Sequence, residues 1–177
     1  MDQSMSDLRF RGMALRFRVR DILRPRQPIL QEACIGRGDT VLDFGCGPGS
    51  YSLLAAQMVG AQGKVYALDI QPLAVRHVAQ IARQRGLTNL DTIQSNCHTG
   101  LLPATVDVAL LYDIFHMFSW PQLILRELQR VLKPEGRLSV NDHHLSPAQI
   151  VAGLTQAGLF RLAEKGRFTH SFIPQQE

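Results

Sequence analysis

The chain has 177 residues, 45% of them hydrophobic and 19% charged, which is the balance of one globular domain and excludes a disordered or fibrous polypeptide. It contains no run of about 18 apolar residues, and its start lacks the apolar core of a secretory leader, so a cytoplasmic protein without a membrane span is expected. The formal charge of +4 is N-terminal throughout: residues 1–28 hold seven arginines against three aspartates, whereas the remainder holds twelve bases and twelve acids.

Residues 1–7 are polar and predict a frayed start. From Leu8 to Leu23 arginines alternate with Phe10, Met13, Leu15, Phe17, Val19 and Ile22, a mixture in which helical and period-2 patterns compete. A helix broken near Gly12 or Arg20 is predicted. Residues 8–26 could serve as a lid, as a patch for an acidic substrate or partner, or as a peripheral membrane-surface element, or could simply pack with their arginines solvated. Pro25 and Pro28 separate this N-terminal lid or substrate segment, 1–28, from a single domain spanning 29–177. Ile29–Cys34 predicts a short helix ending around Gly36 and Gly38.

Val41, Leu42 and Phe44 form a short apolar strand within Thr40–Phe44, as in a parallel sheet covered on both faces. Gly45, Gly47 and Gly49 follow at alternate positions, allowing backbone conformations and a close approach that a Cβ would block. From Ser50 the spacing of Tyr51, Leu53, Leu54 and Met58 is helical to about Val59, so the glycines join a strand to a helix N-terminus, a place that favours polar ligands. A dinucleotide fingerprint would require glycine where Ser50 stands, and Pro48 removes one N–H from the turn. Asp43 would repel a diphosphate and attract an ammonium or sulfonium group.

Lys64–Ile70 is the second strand and ends in Asp69, twenty residues after Gly49. An acid there accepts hydrogen bonds from ribose hydroxyls in nucleotide-binding α/β folds, although Asp69 also precedes Pro72 and could cap the helix Leu73–Arg85. Ile70 is then set to cover one face of a base. Asp91–Gln94 predicts strand three, followed by Ser95, Asn96, Cys97 and His98. Val106–Asp113, almost wholly apolar, predicts a central strand whose end carries Tyr112, Asp113 and, shortly after, His116. Trp120-Pro121 opens a helix; Lys133–Gly136 predicts a turn into strand five, Arg137–Val140. Asn141, Asp142, His143 and His144 follow at the carboxyl edge, a setting for a general base or for a polar loop; adjacent histidines cannot easily face one ion, so no metal is expected. Ser146-Pro147 caps a helix, Ala148–Gln156, and Phe160–Lys165 with Phe168–Ile173 predicts a closing hairpin. Cys34, Cys46 and Cys97 lack a C-x-x-C spacing and read as free thiols of a reducing compartment.

Two runs carry a resemblance: Asp43-x-Gly45-x-Gly47-x-Gly49 and the "helix, Leu132-Lys133-Pro134-Glu135-Gly136-Arg137, strand" passage. Over roughly residues 28–173 the chain resembles class I S-adenosylmethionine-dependent methyltransferases, most closely the small-molecule type of ubiquinone/menaquinone biosynthesis. The resemblance implies a three-layer Rossmann-like α/β sheet of seven mostly parallel strands, order 3-2-1-4-5-7-6 with the last antiparallel, and helices on both faces. It further implies S-adenosylmethionine as cofactor and S-adenosylhomocysteine as product. Asp43, Gly45, Cys46, Gly47 and Gly49 would hold the methionine portion, Asp69 the ribose, Ile70, Asn96 and Cys97 the adenine, and Tyr112 the methyl end. Asn96 stands where the family often has Asp, and an amide carbonyl accepts the same hydrogen bond. Asp113, His116 and His143 are candidate catalytic groups that would orient or deprotonate a small-molecule acceptor. No nucleic-acid partner is expected, and a monomer or homodimer is. The alternative is a cofactor-binding protein without transfer activity, acting through its basic N-terminal segment.

Overall fold

The computed structural model describes residues 7–175, so the expectation for residues 1–6 lies outside it. A helix α1 (Asp7–Leu23) and a short α2 (Gln27–Glu32) precede β1 (Thr40–Phe44), α3 (Ser52–Val59), β2 (Lys64–Asp69), α4 (Pro72–Gln84) and β3 (Leu90–Gln94). Then come β4 (Val106–Tyr112), a 3₁₀ turn at Phe115–Met117, α5 (Pro121–Val131), β5 (Leu132–Asn141), α6 (Pro147–Thr155), β6 (Phe160–Lys165) and β7 (His170–Pro174).

The seven strands form one sheet in the order β3-β2-β1-β4-β5-β7-β6. The pairs among β1 to β5 are parallel, and β7 runs antiparallel to both β5 and β6, as expected. Strands β1 and β4 lie inside the sheet with helices on both faces, which is why they are continuous apolar runs. Leu42 and Phe44 face a core shared with α5 and α6; Val41 faces the core shared with α2, α3 and α4. Strand alternation therefore turns Asp43, between Leu42 and Phe44, toward the α3 side.

Three local expectations are corrected. The first helix is unbroken: a Cβ at Gly12 would meet nothing within 4 Å, and the helix is held at both ends, by buried Phe10 near its start and by Arg20 and Asp21 near its finish. Lys133–Gly136 is a bulge within one long β5, not a turn before it, since Val106 pairs with Leu132 and Val108 with Arg137. Gly136 is needed there because an added Cβ would lie 2.9 Å from the Lys133 carbonyl oxygen and 3.0 Å from that of Val106. Finally, β7 begins at His170 rather than Phe168, because the N–H groups of Arg167, Phe168 and Thr169 donate to the Glu32 carboxylate instead of to a strand. Ser146 caps α6 ahead of Pro147 as the sequence predicts, and the structure adds a capping box with Gln149.

Candidate active site

The turn after β1 is a braced structure. Gly45, Gly47 and Gly49 all have positive φ, at 84°, 51° and 88°, a region that side chains rarely adopt. The N–H groups of Gly45 and Cys46 donate to the Leu68 carbonyl at 2.8 and 2.9 Å, and the N–H of Gly47 donates to the Asp69 carboxylate at 2.8 Å. The other Asp69 oxygen accepts from the Gln71 N–H at 2.8 Å, so Asp69 braces both the glycine turn and the turn that leads into α4, whose N-cap position is Gln71 and not Asp69. Two N–H donors leave lone pairs on this carboxylate for further hydroxyl donors. Burial pushes Asp69 above its ordinary range, and the N–H donors pull in the opposite direction.

Asp43 is buried beneath the turn and accepts a hydrogen bond from the Ser52 hydroxyl at the start of α3. Burial is the largest influence on it and, with the nearby Asp69 charge, pushes it to about 6 despite the Ser52 hydroxyl. Among the described residues no cationic side chain pairs with this buried carboxylate, so the chemistry of the site fits a ligand bringing an ammonium or sulfonium group. Cys46 is buried in the α3 core and its thiol is pushed far up by burial and the two carboxylates, which makes it a packing residue of the turn rather than a nucleophile.

Beside the turn opens a cavity of about 140 Å³. Gly45, Asp69, Ile70, Asn96 and Cys97 form one wall, at the carboxyl ends of β1, β2 and β3. The opposite wall was not anticipated: Met117, Phe118, Trp120 and Leu123 supply it from the 3₁₀ turn and the start of α5. In the sequence Trp120-Pro121 signals only a helix start. The segment after β3 that carries Asn96 and Cys97 is fastened to α5, where Glu127 accepts from the Thr99 N–H at 2.8 Å and the Thr99 hydroxyl at 2.7 Å. Arg130 pairs with the same Glu127 at 2.7 Å and is the main reason its carboxyl is lowered to about 2. Tyr112 does not line the cavity. Its hydroxyl is buried 2.8 Å from the Ser139 hydroxyl, and its ring packs edge-on against Tyr51 with centroids 4.7 Å apart.

The acidic and imidazole groups after β4 and β5 pair crosswise. Asp113, which has φ of 54°, approaches His143 Nδ1 at 2.7 Å, whereas His116 Nδ1 lies 2.8 Å from Asp142. Asp142 also accepts the N–H groups of His116 and His144, each at 3.0 Å. Burial alone would push Asp142 up, but the His116 ring and these N–H donors outweigh it and hold the carboxyl below its ordinary value. The His144 ring lies between the other two, with centroids 4.1 Å from His116 and 3.9 Å from His143. Asp113, His116 and His143 thus converge on one locus, and Asp142 and His144 complete it. With a carboxylate on Nδ1, the Nε2 of His143 is left as the basic nitrogen in the neutral ring. The side chain of His143 is exposed while that of Asp142 is fully enclosed, so the two pairs differ in access.

Residues 35–170 match the family model of a methyltransferase domain. An S-adenosylmethionine-dependent methyltransferase from Aquifex aeolicus superposes with a TM-score of 0.80 and 26% identity, covering 97% of this chain and 98% of that one. The ubiquinone/menaquinone biosynthesis C-methyltransferase of Blochmanniella floridana is 28% identical over 145 residues, 79% of this chain and 56% of that protein. The arsenite methyltransferase of Halobacterium salinarum is 28% identical over 111 residues, 62% of this chain and 28% of that protein. The chain thus spans between 28% and 56% of the length of these curated relatives. Fold, glycine turn and family model agree: the chain belongs to the class I S-adenosylmethionine-dependent methyltransferases.

Proposed function

We propose that this chain moves a methyl group from S-adenosylmethionine to a nucleophilic atom of a small-molecule acceptor. The observation that carries the proposal is the buried carboxylate of Asp43, hydrogen-bonded to Ser52 but paired with no cation among the described residues, beneath three left-handed glycines and beside a cavity walled by Asp69, Ile70, Asn96 and Cys97. When bound, the cofactor supplies an electrophilic methyl group on a sulfonium sulfur. Asp43 and the glycine backbone would hold the methionine end, the Asp69 oxygens would accept from the ribose hydroxyls, Asn96 would accept from the adenine amino group, and Ile70 and Cys97 would flank the base. Tyr112, whose hydroxyl is turned into the sheet toward Ser139, would meet the methyl end only through its backbone. His143, steadied by Asp113, takes the proton of the acceptor's nucleophilic atom on Nε2, and His116 with Asp142 positions the loop that presents it.

The relatives' names, which specify a quinone-pathway carbon and arsenite, support a small acceptor. Three free cysteines support a reducing, cytoplasmic setting. Residues 1–28 are read as a segment apart from the domain that follows, and residues 8–26 as its contact surface for an acidic partner or membrane. Calorimetry with S-adenosylmethionine, S-adenosylhomocysteine and NAD tests the cofactor: the first two should bind and NAD should not. Binding of NAD alone would overturn the reading.

A further inference from the structure

Helix α1 has two apolar faces, and only one of them is used. Phe10 on the inner face is 4% exposed and meets the His77 ring of α4 edge-on with centroids 5.6 Å apart. At the other end Arg20 reaches the Ser50 hydroxyl at 3.3 Å, and that hydroxyl donates to Asp21, so the helix is clasped onto the glycine turn. The outer face carries Leu8, Leu15, Val19, Ile22 and Leu23, which are 82%, 64%, 49%, 73% and 75% exposed. At 100° per residue these five fall in a stripe about 100° wide. Arg9 and Arg16 border the stripe on one side, Arg11 and Arg18 on the other, and all four are exposed. The acid within residues 8–23, Asp21, is turned inward, paired with Arg20 at 2.8 Å and Arg26 at 3.3 Å.

We infer that this outer face of α1 docks on a lipid surface bearing anionic headgroups. An apolar stripe between two rows of arginines is what an interfacial helix presents to such a surface: the stripe enters the headgroup boundary, and the arginine stems snorkel to the phosphates. Charge argues against the other occupants. A second copy of α1 laid on the first would bring its arginine rows against those of its partner, and a nucleic acid would use the arginines while leaving five large apolar side chains in water. The inference builds on the reading of residues 8–26 as a contact surface, but does not depend on methyl transfer.

Flotation of the full chain with vesicles tests it. The protein should float with phosphatidylcholine vesicles containing phosphatidylglycerol, should stay behind with phosphatidylcholine alone, and should be released by high salt. L15E/I22E and R11E/R16E/R18E should each lower binding to the anionic vesicles at least tenfold. Because these side chains are exposed, circular dichroism and calorimetric binding of S-adenosylhomocysteine should be unchanged. Loss of flotation with intact cofactor binding supports the lipid surface whether or not the chain proves to be a methyltransferase. Failure to float with either vesicle, variants that float as well as the parent, a dimer that L15E/I22E splits, or binding to RNA but not vesicles would each overturn it.

Discussion

The N–H of Gly47 donates to the Asp69 carboxylate at 2.8 Å, joining the turn after β1 to the end of β2. Asp69, which we propose holds the ribose, is therefore also a structural part of the glycine turn. On that proposal, cofactor binding and the shape of the turn are coupled through this one side chain.

Replacing Asp69 with Ala should consequently do two things. Cofactor affinity should fall at least tenfold, and the fold should lose about 2 kcal/mol because the buried N–H of Gln71 and the partly buried N–H of Gly47 lose their acceptor. Calorimetry and thermal melting read these separately, with a drop in Tm of roughly 4–8 °C expected for that loss. Weak binding at an unchanged Tm would mean that Asp69 serves the ligand alone.

Asp43 predicts a pH dependence. In the free protein its carboxyl titrates at about 6, above the ordinary 3.8, so the folded state favours the acid form. That contribution to stability is complete below 3.8 and is lost as pH rises through about 6. Asp43→Asn, neutral throughout, should therefore stabilise the free protein at mildly alkaline pH by up to ~3 kcal/mol. The same variant should abolish most cofactor binding, and in the parent affinity should decline as pH falls through about 6, where the carboxylate needed by an ammonium group is lost. Equal affinity across that window would separate Asp43 from the cofactor.

The crossed pairs divide labour in a testable way. His143→Ala and Asp113→Asn should each lower kcat on the order of 10²-fold while leaving S-adenosylhomocysteine affinity almost unaltered. The informative comparison is with Asp142→Asn, whose carboxylate holds two loop N–H groups and the His116 ring, and which should lower Tm as well as turnover. If His143→Ala turned over at the parent rate, another group would be the base, or none would be needed.

Gly45 offers a steric test of the turn. A Cβ there would stand 2.7 Å from Ile114 Cδ1, at a φ of 84° that alanine tolerates poorly. Gly45→Ala should cost about 2 kcal/mol, seen as a lower Tm, and should weaken cofactor binding by shifting the wall that Gly45 and Ile114 share. Gly47→Ala, where an added Cβ would meet nothing within 4 Å, isolates the backbone contribution from the clash.

Much of the fold was legible because its signals are local. Apolar runs marked the strands, prolines at helix starts marked α4, α5 and α6, and the Ser146 cap before Pro147 fixed where α6 begins. The glycine turn, Asp43 and Asp69 could be recognised for the same reason, since positive φ and a strand-end carboxylate leave their mark in single residues. The walls of the cavity were half legible. Those from the ends of β2 and β3 follow from strand boundaries, while Met117, Phe118 and Trp120 look in the sequence like any apolar residues before a helix.

What the sequence by itself determined was the order of elements, the glycine turn and the acids that line it, because each depends on a residue's own backbone and its near neighbours. What only the tertiary structure decided was which partner each polar group takes. Either acid could have held either histidine; the parallel register that sets Tyr112 beside Asn141 brings Asp113 to His143 and Asp142 to His116. The same holds for Tyr112, whose hydroxyl turns into the sheet toward Ser139, and for α1, whose apolar residues are split between a docked face and an open one. Pairing and burial are long-range quantities, set by the distance between segments that no local pattern specifies.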